Sequence, residues 1–320
     1  MKRKIIALFA VLLGMVSVGK AQEIIIYNQY HFHYYLMNPA LAGAAECTHF
    51  MLNHKQQWIG IKDAPYTTIL SFQTRTRANL GFGAYLYNDK NGYSYQQGAQ
   101  FTVAYHIPMS RGNRYSRATS LERQLSFGLS GKFYRYQLSD EVIAEANSDA
   151  WGEYIQRKDG IYPNANFGVF YQSYHFFTGL SVTNMIPVKI DMFGPQEPVR
   201  PFTAMYQVGY GFEAGRDFTL EPSAVFKIDQ DAMKQLDLGF RVLQNVDDRD
   251  MSWWAGVIVK QNFDKEYKPL VMVPNFTVRL GKFRFGYALN LDLNKLVSHS
   301  FSTHELMLGY SLCNTKKFCR

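Results

Sequence analysis

Long apolar runs are nearly absent from this chain once its first residues are passed, and that absence excludes a bundle of membrane-spanning helices, each of which needs about 20 consecutive apolar residues. Cysteine is scarce, with only Cys47, Cys313 and Cys319, too few for a disulfide framework. Cys313 and Cys319 are close enough in sequence to close a small loop in an exporting compartment, which leaves Cys47 as a small buried apolar residue. There is no Gly-rich phosphate loop, no zinc spacing and no dinucleotide fingerprint, so no cofactor is expected. A clustered basic face is missing as well. The formal charge is +8, and Lys2, Arg3, Lys4 and Lys20 account for half of it, so a chain cut after residue 21 carries +4. That mild balance gives no reason to expect nucleic acid as a partner.

The chain opens with Lys2, Arg3 and Lys4, runs apolar from Ile5 to Val18 and ends this stretch in Gly19-Lys20-Ala21. This is the pattern of a cleavable signal peptide over residues 1–21. No cysteine follows the cut at Gln22, which argues against a lipid anchor. Residues 22–47 mix aromatics with His31, His33 and the Asn38-Pro39 turn, without clean alternation. They read as an N-terminal segment near the periplasmic mouth. His31 and His33 lack a Cys or acidic partner at ligand spacing, so no metal site is expected.

Residues 48–312 alternate apolar and polar side chains. With aromatics at 16% of the chain, this predicts an antiparallel up-and-down transmembrane β-barrel of about 14 strands with a polar lumen. The clearest strand puts Phe283, Phe285, Tyr287, Leu289 and Leu291 toward lipid, with Arg284, Gly286, Ala288 and Asn290 inward. Phe101, Val103, Tyr105 and Ile107 likewise face out against Gln100, Thr102 and His106. Leu125, Phe127, Leu129 and Phe133 do so against Ser126, Ser130 and Lys132. Connections of unequal length orient the barrel: the long ones, such as Gln137 to Tyr162 and Asn184 to Pro201, are external, and tight ones such as Gly281-Lys282 are periplasmic. Pro108 to Glu122, with Arg111, Arg114 and Arg117, is a long basic exception. Residues 313–320 read as a periplasmic tail.

Three turn signatures stand at the start of this region: NPALAG at Asn38 to Gly43, QQWIGIKDAP at Gln56 to Pro65, and NDKNG at Asn88 to Gly92. Asn-Pro forces an extended entry and a turn, Gly43 permits positive φ, and Trp58 suits a membrane-water boundary. NDKNG reads as an Asn-Gly hairpin turn rather than a calcium loop, because it is short and lacks the bidentate Glu. In this order and spacing the three resemble the PorP/SprF family of outer-membrane barrels associated with type IX secretion and gliding motility. The resemblance implies a non-enzymatic component, integral in the outer membrane and in contact with its lipid. It would serve secretion, surface attachment or display of exported adhesins. Its partners would be the ring and lipoprotein components of the secretion machine and an adhesin with a C-terminal sorting domain. Asn38, Pro39 and Gly43 are then structural residues of the family motif. Trp58, Gly60, Lys62, Asp63, Pro65, Asn88, Asp89, Lys90 and Gly92 are candidate partner-binding positions on external loops.

Two other features bear on function. The run from His299 to Glu305 holds Ser, His and an acid, yet no strained nucleophile turn or oxyanion donor accompanies it, so no enzyme is expected. The two-residue turn at Gly281-Lys282 sets Arg279 opposite Arg284 on the lumen face, a like-charged pair that calls for a carboxylate nearby; Glu213, Glu221 and Glu23 are the candidates. A passive porin or small-solute channel is the alternative function on the same fold.

Overall fold

In the computed structural model the described residues are 33–45, 47–76, 78–109, 121–140, 159–189, 202–215, 217–229, 234–244, 251–263, 270–293 and 303–312. Strands β1 (Thr48–Gln56), β2 (Tyr66–Arg75), β3 (Leu80–Asn91), β4 (Ser94–Pro108), β5 (Leu121–Leu138), β6 (Asp159–Tyr174) and β7 (Phe176–Thr183) follow one another as antiparallel neighbours. β8 (Thr203–Tyr210) breaks at Gly211 and continues as Phe212–Ala214, both pieces pairing with β9 (Phe218–Asp229). β10 (Lys234–Gln244), β11 (Met251–Asn262), β12 (Leu270–Leu280), β13 (Phe283–Asp292) and β14 (Thr303–Leu312) complete the wall. β14 pairs with β1 from Thr48↔Leu312 to Gln56↔His304, so the sheet closes on itself with fourteen staves and no free edge. Closure leaves every strand paired on both sides, which is what permits β-structure in a bilayer.

Side chains are distributed inside out relative to a water-soluble protein. Phe101 is 64% exposed and Ile161 73%, whereas Lys227 and Glu305 are each 1% exposed. The predicted faces hold on β4, β5 and β13: Phe285 and Tyr287 point out, while Arg284 and Ala288 are buried. Inside, Lys227 Nζ donates to Asp237 Oδ2 at 2.7 Å and Gln235 shares the same carboxylate. Such a desolvated pair persists only with its charges matched and its remaining hydrogen bonds made.

Strand ends differ from the sequence reading at the polar rim. β3 runs to Asn91 and β4 begins at Ser94, so the hairpin turn is Gly92-Tyr93, and Asn88, Asp89 and Lys90 lie in a strand rather than a loop. Their cross-strand partners Gln97, Gln96 and Tyr95 continue the ladder beyond the apolar belt, because backbone pairing does not require lipid. β5 and β6 extend in the same way, from Gln137↔Asp159 downward, and the ion pair of Arg135 with Asp159 ties their outer ends. The connections 139–158 and 184–202 leave this end of the barrel. The end holding Thr48 and Leu312 carries the tight turns at His175 and Gly281-Lys282. Long connections mark the external side and tight ones the periplasmic side.

Cys47 corrects a second expectation. It is disulfide-bonded rather than a lone buried apolar residue. Cys313 and Cys319, and with them the expected small loop, fall outside the described residues. Residues 1–21, the basic stretch 110–120 and the tail 313–320 lie outside the described residues.

Candidate functional site

Residues 33–45 lie inside the lumen, and Ala42 and Gly43 pack against Thr74 and Gly81 at the periplasmic ends of β2 and β3. Two single turns of 3-10 helix, Tyr34–Leu36 and Pro39–Leu41, keep the segment compact. Asn38 organises it: its Oδ1 accepts from Ala40 N at 3.0 Å, and its Nδ2 donates to the carbonyls of Val169 on β6 and Leu180 on β7. Pro39 at the first helical position has no N–H to leave unsatisfied. The amide reaches the wall's backbone because the wall is bare there. A Cβ at Gly168 would overlap Asn38 Oδ1, and one at Gly128 would overlap the Pro39–Ala40 peptide. Glycine inside a strand marks such a close approach of another backbone.

The segment spans the lumen from wall to wall. Tyr35, Ala40, Leu41 and Ala42 pack with Ala104 and Phe170. Met37 joins Met205, Val225, Ile258, Val273 and Ala288 on the opposite side. Leu36 packs against Ile69, Tyr87, Tyr134 and Tyr162, and Tyr34 lies 5.8 Å from the Arg241 guanidinium. These contacts reach every strand from β2 to β13. Tyr35 Oη meets Thr102 Oγ1 at 2.9 Å, within a buried network of Thr102, Ser130, Gln100 and Asn166. His106 Nε2 lies 2.9 Å from the Ala42 carbonyl, so it is the protonated nitrogen, and Nδ1 accepts from Ser126 Oγ at 2.8 Å. Gly43, at φ +67°, turns the chain out toward β1.

A second piece enters the lumen from the outer side. Asn184 N donates to Asn166 Oδ1 and Ile186 N to Asn164 Oδ1. Val188 then packs on the Ile69, Tyr87, Tyr134 and Tyr162 cluster, which Leu36 meets from below. Sequence reasoning found the NPALAG motif but not its berth. The available signal was glycine at inward positions of neighbouring strands, in LGFGAY, SFGLSG and NFGVF.

The outer rim brings two of the three motifs together. Asp63 and Lys90 form an ion pair at 3.1 Å, and Lys90 also sits 5.6 Å from the Tyr95 ring. Gln57 N to Pro65 O, at 2.8 Å, closes the connection 57–65. Trp58, Gly60 and Asp63 turn it with positive φ values of 45°, 97° and 57°. Pro65 is buried, whereas Trp58, Ile59, Ile61 and Lys62 are exposed at its tip. Asn88 and Lys90 face outward. Asp89 faces the lumen instead, accepting a hydrogen bond from Thr67 Oγ1, and Gly92 turns the hairpin at φ +58°.

The arginine pair is placed as the turn dictates: Arg279↔Arg284 is a direct cross-strand pair beside Gly281-Lys282. Of the three expected carboxylates two lie elsewhere, and Glu23 falls outside the described residues. Glu221 is bound by Arg241 at 2.7 Å, and Glu213, past the break at Gly211, is exposed near His175. On β14, period-two geometry points His304 outward to Tyr287 Oη and Glu305 into the lumen, so these two do not form a catalytic dyad. His33 lies against Ser71, and no group of metal-ligating side chains occurs among the described residues.

Among solved structures the barrel is similar to the CymD monoaromatic hydrocarbon channel. The TM-score is 0.52, with 11% identity over 94% of this chain and 96% of that one. It is also similar to a deltaS2 mutant of the TodX monoaromatic hydrocarbon channel, with TM-score 0.50 and 11% identity over 88% and 94% of the two chains. At that identity the likeness is one of fold, an outer-membrane barrel. No curated protein sequence matches the chain. The sequence profile described as type IX secretion system membrane protein PorP/SprF matches residues 19–310, which include the lumen segment, the rim and all but the end of the last strand. The chain is therefore an integral outer-membrane barrel belonging to the PorP/SprF family of type IX secretion membrane proteins.

Proposed function

We propose that the protein is a non-enzymatic scaffold of type IX secretion, supporting secretion, surface attachment or display of exported adhesins through its two rims rather than through a pore. The observation that carries this reading is the occupied lumen: residues 33–45 contact the wall from β2 to β13. Small-solute passage, the rival reading, needs a continuous aqueous path, and a segment packed across the lumen counts against it. The periplasmic rim is the surface offered to ring and lipoprotein components. The outer rim, with Trp58, Ile59 and Ile61 exposed above the Asp63–Lys90 pair, suits an adhesin's C-terminal sorting domain. An apolar tip held by a fixed turn is a better protein contact than a solvated charged loop.

Deleting Lys62 to Ala64 removes Asp63 and with it the tie to Lys90 while sparing the strands. The altered barrel is expected to assemble and remain heat-modifiable on gels. It should also retain its periplasmic partners on co-purification from native membranes, but display less adhesin at the cell surface. Normal surface levels of every type IX cargo in a strain making only the deletion protein would defeat the rim assignment. Failure of the intact protein to co-purify with any type IX component would defeat the scaffold.

A further inference from the structure

The lipid-facing wall is uneven over β2 to β5. One row of outward positions crosses these strands as Phe72, Ala84, Phe101 and Gly131, each directly opposite the next. The neighbouring row toward the periplasm, Phe82, Val103 and Leu129, is large throughout. Two small residues thus alternate with two phenylalanines halfway up the wall, and a Cβ added at Gly131 meets nothing within 4 Å. The result is a groove of about 440 Å³ that reaches between these side chains down to Gly83 and Thr102.

The groove offers no polar side chain. Gly83 and Thr102 are buried positions of the inner face, and the Thr102 hydroxyl is taken up inside by Tyr35 Oη at 2.9 Å and Ser130 Oγ at 2.8 Å. The sheet sets the width: Phe72 and Phe101 stand two strands apart, about 10 Å at the usual spacing, and their own rings fill part of that gap. A helix, about 10–12 Å across with its side chains, is too wide to enter. An added strand would need an unpaired sheet edge, which closure between β14 and β1 has removed. A single hydrocarbon chain is narrow enough.

Left empty, the groove would deprive its aromatic lining of contacts on one side. It opens on the face that Phe101 and Leu129 present to lipid, so bilayer hydrocarbon is what lies against it. We propose that the groove is a binding site for one acyl chain of a membrane phospholipid. The chain lies between Phe72 and Phe101, over Ala84, and is retained when the surrounding lipid exchanges. The headgroup takes no part within the groove, since no charged side chain lines it.

The test uses the full barrel in detergent, stripped of lipid and then supplied with dipalmitoyl phosphatidylethanolamine. Native mass spectrometry is expected to show a population carrying a single lipid. Ala84→Phe and Gly131→Phe each fill part of the groove and should lower the bound fraction about tenfold in barrels that remain heat-modifiable. Leu238→Phe, on the lipid face of β10 across the barrel, should leave it unchanged. A second measurement needs only the native chain: the same lipid with a diazirine in its acyl chain should label peptides of β2 to β5 about tenfold more than those of β9 to β12. Absence of bound lipid, undiminished binding in the folded groove variants, or labelling spread evenly round the wall would overturn the site. A lipoprotein retained from native membranes in place of phospholipid would overturn the occupant.

Discussion

Replacing Gly168 by valine is expected to drive residues 33–45 out of the lumen while the barrel stays folded. The new Cβ would occupy the position of Asn38 Oδ1, which holds Ala40 N, and the same amide's Nδ2 is fixed to Val169 and Leu180. Overpacking costs about 1–3 kcal/mol where neighbouring side chains can shift. Here the neighbour is a capping amide tied to backbone on two strands, so the segment has little way to accommodate it. Withdrawal exposes Met37 and Leu41, each worth roughly 1.5–3 kcal/mol of burial, and this limits the loss to the segment itself. Chymotrypsin should then cleave at Tyr34 or Tyr35 in the folded variant but not in the native protein. Gly131→Val is the control, because a Cβ there meets nothing within 4 Å. Equal protection of Gly168→Val and Gly131→Val would show that the wall glycines do not hold the segment.

Phe101→Arg should cost about 2–4 kcal/mol in urea unfolding from lipid vesicles, the range for arginine on the lipid face near the bilayer midplane. Phe101 lies halfway along β4 and is the most exposed of the large apolar residues on that strand's outer face. Phe285→Arg, two residues above the start of β13, should cost less. Asn88→Arg, outward on the polar rim, should cost about 0–1 kcal/mol. Equal costs at the three positions would remove the membrane placement of the wall.

The wall was legible because lipid on the outside writes an apolar side chain into every second position of most strands. Phe283 to Leu291 shows it plainly, and the Arg279↔Arg284 register followed from a two-residue turn. The rim was less legible. Asn88 to Lys90 carry turn-forming residues, but their backbones stay paired to Gln97, Gln96 and Tyr95, and no hydrophobic signal marks where a strand above the bilayer ends. The lumen segment was recognisable as a motif but not as a plug. Its berth is made by Gly128 and Gly168, which face each other across β5 and β6, and that juxtaposition depends on a strand register that the motif itself does not carry. The partner-binding role of Trp58, Lys62 and Asp63 rests on chemistry supplied by another protein, which this chain's packing does not encode.

Single-channel recording in a planar bilayer tests the central claim most directly. With the lumen filled by residues 33–45 from within and by Asn184 to Val188 from outside, the intact protein is expected to be nearly silent at moderate voltage. A steady ohmic conductance that scales with salt and falls with added solute size would contradict it, and would make the protein a channel.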